Sequence, residues 1–139
     1  GLRLKDVPKP VPAAKPTRQD LKPSDKLSII KNGPKNFAGR KVGALVTDGT
    51  DADVLAALDK AVKAEGATLV LVAPEVGGFK DSAGASHDAH EKLEGGPSVL
   101  FDAVAVIPSK EGAALLAELP AARDFVADAY AHRKFVGYS

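Results

Sequence analysis

Three short stretches hold the side chains that could do chemistry. Asp48, Asp51 and Asp53 follow the apolar run Val42 to Val46, Ser109 follows Asp102 to Ile107, and Ser139 closes the segment KFVGYS. Carboxylates behind a buried strand can hold Mg²⁺ or move a proton, and a serine there can attack an acyl carbon if a base activates it. A phosphoryl-accepting Mg²⁺ site would need an aspartate after the third strand, where Pro108-Ser109-Lys110 stands instead. The turn TDGTD has the single glycine Gly49, so it is neither a G-x-G-x-x-G turn nor a Walker loop. Its carboxylates would also repel a phosphate at a helix N-terminus. Gly137-Tyr138-Ser139 opens like a nucleophile elbow, but the residues that complete one do not follow. The competing reading is structural. Thr50 caps a helix with Asp53 three residues on, and Asp51 and Asp53 place negative charge at its positive end. No catalytic, cofactor or metal residue is assigned on this reading; Asp48, Asp51, Asp53, Ser109 and Ser139 stand as the candidates.

The histidines offer one more constellation. His87-Asp88-Ala89-His90-Glu91 would place two imidazoles at i and i+3 and could ligate a metal if the segment were helical. The competing reading is a set of solvated side chains in a polar, glycine-flanked excursion. His132 is the third histidine, Tyr130 and Tyr138 are the two tyrosines, and there is no cysteine. The lack of cysteine excludes disulfides, thiolate metal sites and a cysteine nucleophile.

The elements that must position these residues follow from hydrophobic period. Val42 to Val46, Thr68 to Ala73 and Asp102 to Ile107 are continuous apolar runs, which suit strands buried on both faces of a parallel sheet. Lys134 to Tyr138 is a fourth strand. Val54, Leu55, Leu58 and Val62, with Ala57 and Ala61, predict the inner face of a helix that Gly66 stops. Glu111 to Leu119 and Pro120 to His132 predict two more helices, Pro120 standing at a first turn. Leu115, Leu116, Leu119, Ala122, Phe125, Val126, Ala129 and Tyr130 are their expected buried face. Glu75 to Pro97 reads as a turn-rich excursion, with Phe79-Lys80 facing Ala85-Ser86 in a small hairpin and His87 to Leu93 forming a helical turn. Together these predict an α/β fold: a doubly wound, mostly parallel sheet that stops after its fourth core strand.

The first 38 residues differ in kind from residues 39–139. Residues 1–40 carry ten Lys/Arg against three Asp, and the remainder carries nine against fifteen acids, within a net charge of +1. Pro8, Pro10, Pro12, Pro16 and Pro23 favour extended polyproline II, as in a tether or a docking strap. Asp25 to Lys31 (DKLSIIK) is expected to be a short strand or turn. The near-zero net charge gives no global signal for nucleic acid or acidic lipid, and no apolar run approaches a membrane span of about 20 residues. With no methionine, the sequence reads as a piece of a longer protein or a processed product. The cytoplasm is the expected compartment.

The order DKLSIIK, then GRKVGALVTDGTDADVLAAL, then the excursion and FDAVAVIPS, resembles the C-terminal flavodoxin-like domain of large-subunit haem catalases, with its preceding linker. The stretches Gly39 to Leu58 and Phe101 to Ser109 carry most of the likeness. The resemblance implies a parent that converts hydrogen peroxide to water and oxygen, contains haem and assembles as a homotetramer. It also implies that the haem ligand and the distal residues lie in a core outside this chain, so that the chain binds no haem and turns over no peroxide. Expected partners are the catalase core, other subunits of a homo-oligomer and unfolded client proteins, with no nucleic acid and no membrane.

The same domain is similar in fold to the PfpI/ThiJ class of the glutamine amidotransferase-like superfamily. Active members use a cysteine on a strand-to-helix elbow and an acid after the first strand. Asp51 and Asp53 lie near that acid position, and the elbow would follow about Ser139. A hydrolase or amidotransferase relic and a small-ligand binding module, with the Asp48 to Asp53 turn as its floor, are the alternatives to an accessory domain with a structural or chaperone-like role. An exposed sheet edge would favour self-association.

Overall fold

A computed structural model of the chain describes residues 9–139. These fall into two units that divide between Pro34 and Lys35. In the first, DKLSIIKN is helical: a 3-10 turn at Asp25–Leu27 leads into Ile29–Asn32 (α1). Of the strand or turn expected there, the turn forms at Asp25–Leu27 and a helical turn takes the place of a strand beyond it. Ser28 drives the change, because its side chain accepts the Lys31 N–H and starts the helix.

The second unit runs Lys41–Leu45 (β1), Ala52–Ala64 (α2), Thr68–Ala73 (β2), Phe79–Lys80 (β3), Ser86–His87 (β4) and Glu91–Lys92 (β5). It continues through Ala103–Val106 (β6), Lys110–Glu118 (α3), Pro120–Ala131 (α4) and Phe135–Tyr138 (β7). The main sheet has the order β5-β2-β1-β6-β7, and every pairing in it is parallel. A doubly wound α/β sheet is what the apolar runs predict, with a short fifth strand added at one edge.

The runs are continuous because both faces of the central strand are covered. Ala44 and Val46 pack with Leu55 of α2, while Leu45 packs with Leu116, Ala122 and Phe125 from α3 and α4. Leu45, Val46 and Val72 are fully buried, each stabilising the fold by about 1.5–3 kcal/mol. Gly43 gives way to the Phe101 ring, which occupies the space a Cβ would take.

The inner faces of the helices are narrower than the spacing predicts. Leu55 and Val62 of α2 are buried, but Ala57 and Ala61 are exposed, because at about 100° per residue Ala57 lies roughly 160° and Ala61 roughly 120° around the helix from Leu55. Leu116, Ala122, Phe125 and Ala129 are buried, whereas Leu115, Val126 and Tyr130 are exposed. The excursion also differs. His87 to Leu93 is extended rather than helical, because β5 joins β2 and His90 N–H bonds Leu71 O at 2.9 Å. The hairpin forms with Phe79 opposite His87 and Lys80 opposite Ser86.

Candidate functional site

The strand order places a switch point between β1 and β6. The chain leaves β1 towards β2 on one side and later returns to β6 on the other, which opens a crevice beyond the strand ends. Thr47, Asp48, Glu75, Phe79, Glu111 and Leu115 help to line a cavity of about 210 Å³ there. Three of these are carboxylates, which disfavour a phosphate there.

Hydroxyls tie together the strand ends that frame this crevice. The Thr47 N–H donates to Thr50 Oγ1 at 3.1 Å, and Thr50 Oγ1 donates to the Ile107 carbonyl at 2.8 Å. The Ser109 N–H donates to Thr47 Oγ1 at 3.1 Å. Ser109 Oγ donates to the Asp48 carbonyl at 2.6 Å and accepts the Gly112 N–H at 2.9 Å. A Cβ on Gly112 would overlap Thr47, so α3 starts hard against the end of β1. Asp48 Oδ1 accepts the Lys80 N–H at 2.8 Å, which docks the hairpin on the same turn.

The five candidates therefore separate. Asp48 and Ser109 meet, and both act in structural hydrogen bonds. Asp51 is the N-cap of α2, accepting the Val54 N–H at 3.0 Å. Asp53 stands exposed in the first turn of the same helix. Ser139 lies beyond β7, its N–H bonded to the Val106 carbonyl at 3.2 Å. The capping role expected of Thr50 is corrected: its side chain is fully buried, a β-branched hydroxyl joining two strand ends, and Asp51 takes the cap.

The histidine constellation is also rearranged. His87 and His90 do not share a helix face, and no metal-holding group of three His, Cys, Asp or Glu exists among the described residues. His87 Nε2 lies 2.7 Å from Asp81 Oδ2, and its ring stacks on Phe79 with centroids 5.0 Å apart. Asp81 Oδ1 accepts the N–H groups of Ala83 and Ala85, both at 2.9 Å. The His87 hydrogen bond, supported by these two, holds the Asp81 carboxyl below the usual carboxylate range against the opposing effect of burial. Sequence reading passes over Asp81. The Asp81-Ser82-Ala83-Gly84 run, a turn closed by the aspartate's own side chain, is the signal that could have found it.

Comparison with known proteins places this geometry. The model of the C-terminal domain found in long catalases matches residues 38–139. Catalase C of Rhizobium meliloti (strain 1021) is 55% identical over all 139 residues, which span 20% of that protein. Catalase HPII of Pseudomonas putida is 32% identical over 102 residues, covering 73% of this chain and 14% of that protein. The chain thus spans about a fifth or less of the length of these curated relatives. Among solved structures, a mutant DJ-1 superfamily protein from Salmonella typhimurium matches with a TM-score of 0.63 and 27% identity, over 71% of this chain and 54% of that one. A ThiJ/PfpI domain protein from Brachyspira murdochii shares the fold with a TM-score of 0.64 at 13% identity, over 73% of this chain and 58% of that one.

Proposed function

The chain belongs to the family of C-terminal domains found in long catalases, and on that premise we propose that it is the non-catalytic accessory domain of a haem catalase that decomposes hydrogen peroxide. Its role is to stabilise the subunit assembly in the cytoplasm, through contact with the catalase core and neighbouring subunits. The full-length likeness to Catalase C carries this reading.

The crevice supports a structural role. Its serine and threonine hydroxyls are taken up in bonds between β1, β6 and α3 rather than aimed at a substrate. No imidazole is bonded to Ser109 among the described residues, so no base activates it. The tyrosines do not form a haem pocket. Tyr130 and Tyr138, the phenols that could ligate iron, are 81% and 88% exposed, and neither oxygen has a hydrogen-bond partner among the described residues. On this reading haem is held in the parent's core, and no step is routed through it here.

A chaperone-like role is a second reading, favoured by one observation. β7 is an edge strand, and Phe135, Val136 and Tyr138 on it are 79%, 37% and 88% exposed. Exposed apolar edges pair with extended chain. Two measurements test the proposal. The purified chain mixed with haemin should show no catalase-type Soret band and no oxygen release from peroxide beyond that of haemin alone; either would contradict the accessory role. A heated client protein should aggregate less with the chain present if the second reading holds, and unchanged aggregation at a several-fold excess would remove it.

A further inference from the structure

A cavity of about 410 Å³ lies between α2 and the excursion that holds β3, β4 and β5, away from the switch-point crevice. Its floor is apolar, built from Leu55 and Ala56 of α2 and Leu69 and Leu71 of β2. His87, His90, Asp81 and Asp59 supply its polar groups. Its size falls in the ordinary range of small-molecule sites, about 300–1,000 Å³, and the mix of apolar floor and few polar groups is characteristic of them.

The hydrogen bonds around the cavity fix both imidazole tautomers. A carboxylate only accepts, so the neutral His87 ring carries its hydrogen on Nε2, towards Asp81. That leaves His87 Nδ1 as an acceptor, and no described residue bonds it. A backbone N–H only donates, and the Leu71 N–H donates to His90 Nδ1 at 2.9 Å. The neutral His90 ring therefore carries its hydrogen on Nε2, a donor that no described residue uses. The two rings that line the cavity thus carry one unbonded acceptor and one unbonded donor. Asp81 is 9% exposed and fully engaged, and its two backbone donors and the His87–Phe79 stack hold His87 in one orientation.

The charges narrow the ligand further. Asp59 is paired with Lys63 Nζ at 2.6 Å, and Asp81 is spent on His87. Two carboxylates disfavour an anion, and neither is free to neutralise a cation. A hydroxyl group answers the acceptor and the donor together, without charge. A dry cavity of about 150 Å³ already takes benzene, so this one has room for a substituted ring. We propose that the cavity between α2 and the hairpin is a binding site for a small neutral phenol, its ring on the leucine floor, its O–H donating to His87 Nδ1 and its oxygen accepting from His90 Nε2.

The test uses p-cresol as the probe and toluene as its hydroxyl-free counterpart. The chain is titrated with each while the imidazole nitrogens are followed by long-range ¹H–¹⁵N NMR. The expected result is saturable binding of p-cresol at one site, with the His87 Nδ1 and His90 Nε2 signals moving together. Toluene should bind roughly ten- to a hundredfold more weakly, the loss expected for two hydrogen bonds. In His87→Phe, which keeps a ring against Phe79, the preference for p-cresol over toluene should fall to that of the one hydrogen bond left to His90. If that variant fails to fold, the comparison of the two probes on the native chain decides. Equal affinity for both probes, no saturation by p-cresol, or shifts confined to other residues would overturn the proposal.

Discussion

Thr50 is the residue on which the central strand ends depend. Its hydroxyl accepts from Thr47 and donates to Ile107 in a site without solvent. Thr50→Val keeps the shape and strands both partners, so it should cost about 2–4 kcal/mol in urea unfolding, with Thr50→Ser losing much less. Gly112 makes the opposite point about helix propensity. Alanine is the better helix former by about 1 kcal/mol, yet its Cβ would overlap Thr47. Gly112→Ala should therefore destabilise the fold, by roughly 1–3 kcal/mol in the same assay, because overpacking outweighs propensity. Asp102 gives a pH dependence. It accepts the Lys41 N–H at 2.9 Å and Arg40 Nη1 at 2.8 Å, and these hold its carboxyl below the usual range. A carboxyl depressed on folding stabilises above its unfolded pKa of about 3.9, and that stability is lost as pH falls through the folded value. Asp102→Asn should therefore flatten the acid limb of a stability profile below about pH 4 and leave the shape above pH 5 unchanged.

At the scale of elements, α2 and α4 end alike with different residues. The Ala67 N–H reaches back to Val62 past Gly66, whose φ is 68°, and the Lys134 N–H reaches back to Ala129 past Arg133, whose φ is 55°. Both are Schellman closures, but only the first uses the residue suited to a left-handed backbone. Arg133→Gly should stabilise the chain by up to about 1 kcal/mol, read as a raised melting temperature; an unchanged or lowered one would show that the arginine side chain earns its place. The long apolar runs made β1, β2 and β6 legible, and Gly66 marked the end of α2. What escaped was decided by tertiary contact. Nothing local distinguishes Thr50 from an N-cap until Ile107 arrives beneath it from 57 residues away. The segment from His87 to Leu93 is polar enough for a turn, and only the free edge of β2 draws it into β5. Asp48 and Ser109 were found by position after a strand, but their bonds to backbone, which make them structural, are invisible in sequence.

For the whole molecule, the sheet is finished at one edge and open at the other. β5 and the His90 ring cover β2, while β7 leaves Phe135 and Tyr138 in solvent. The isolated chain should therefore self-associate through β7, and Phe135→Lys with Tyr138→Lys should shift it to monomer in size-exclusion chromatography with light scattering. Native chain that runs as a clean monomer would contradict this. The central claim is that the domain supports a catalase without taking part in its chemistry. The most direct measurement removes residues 35–139 from the protein that carries them and compares peroxide turnover per haem with the half-life of activity on heating. The account predicts unchanged turnover at 25 °C and a markedly shorter half-life. Lost turnover in a truncated protein that keeps its haem and its fold, or an unaltered half-life, would contradict it.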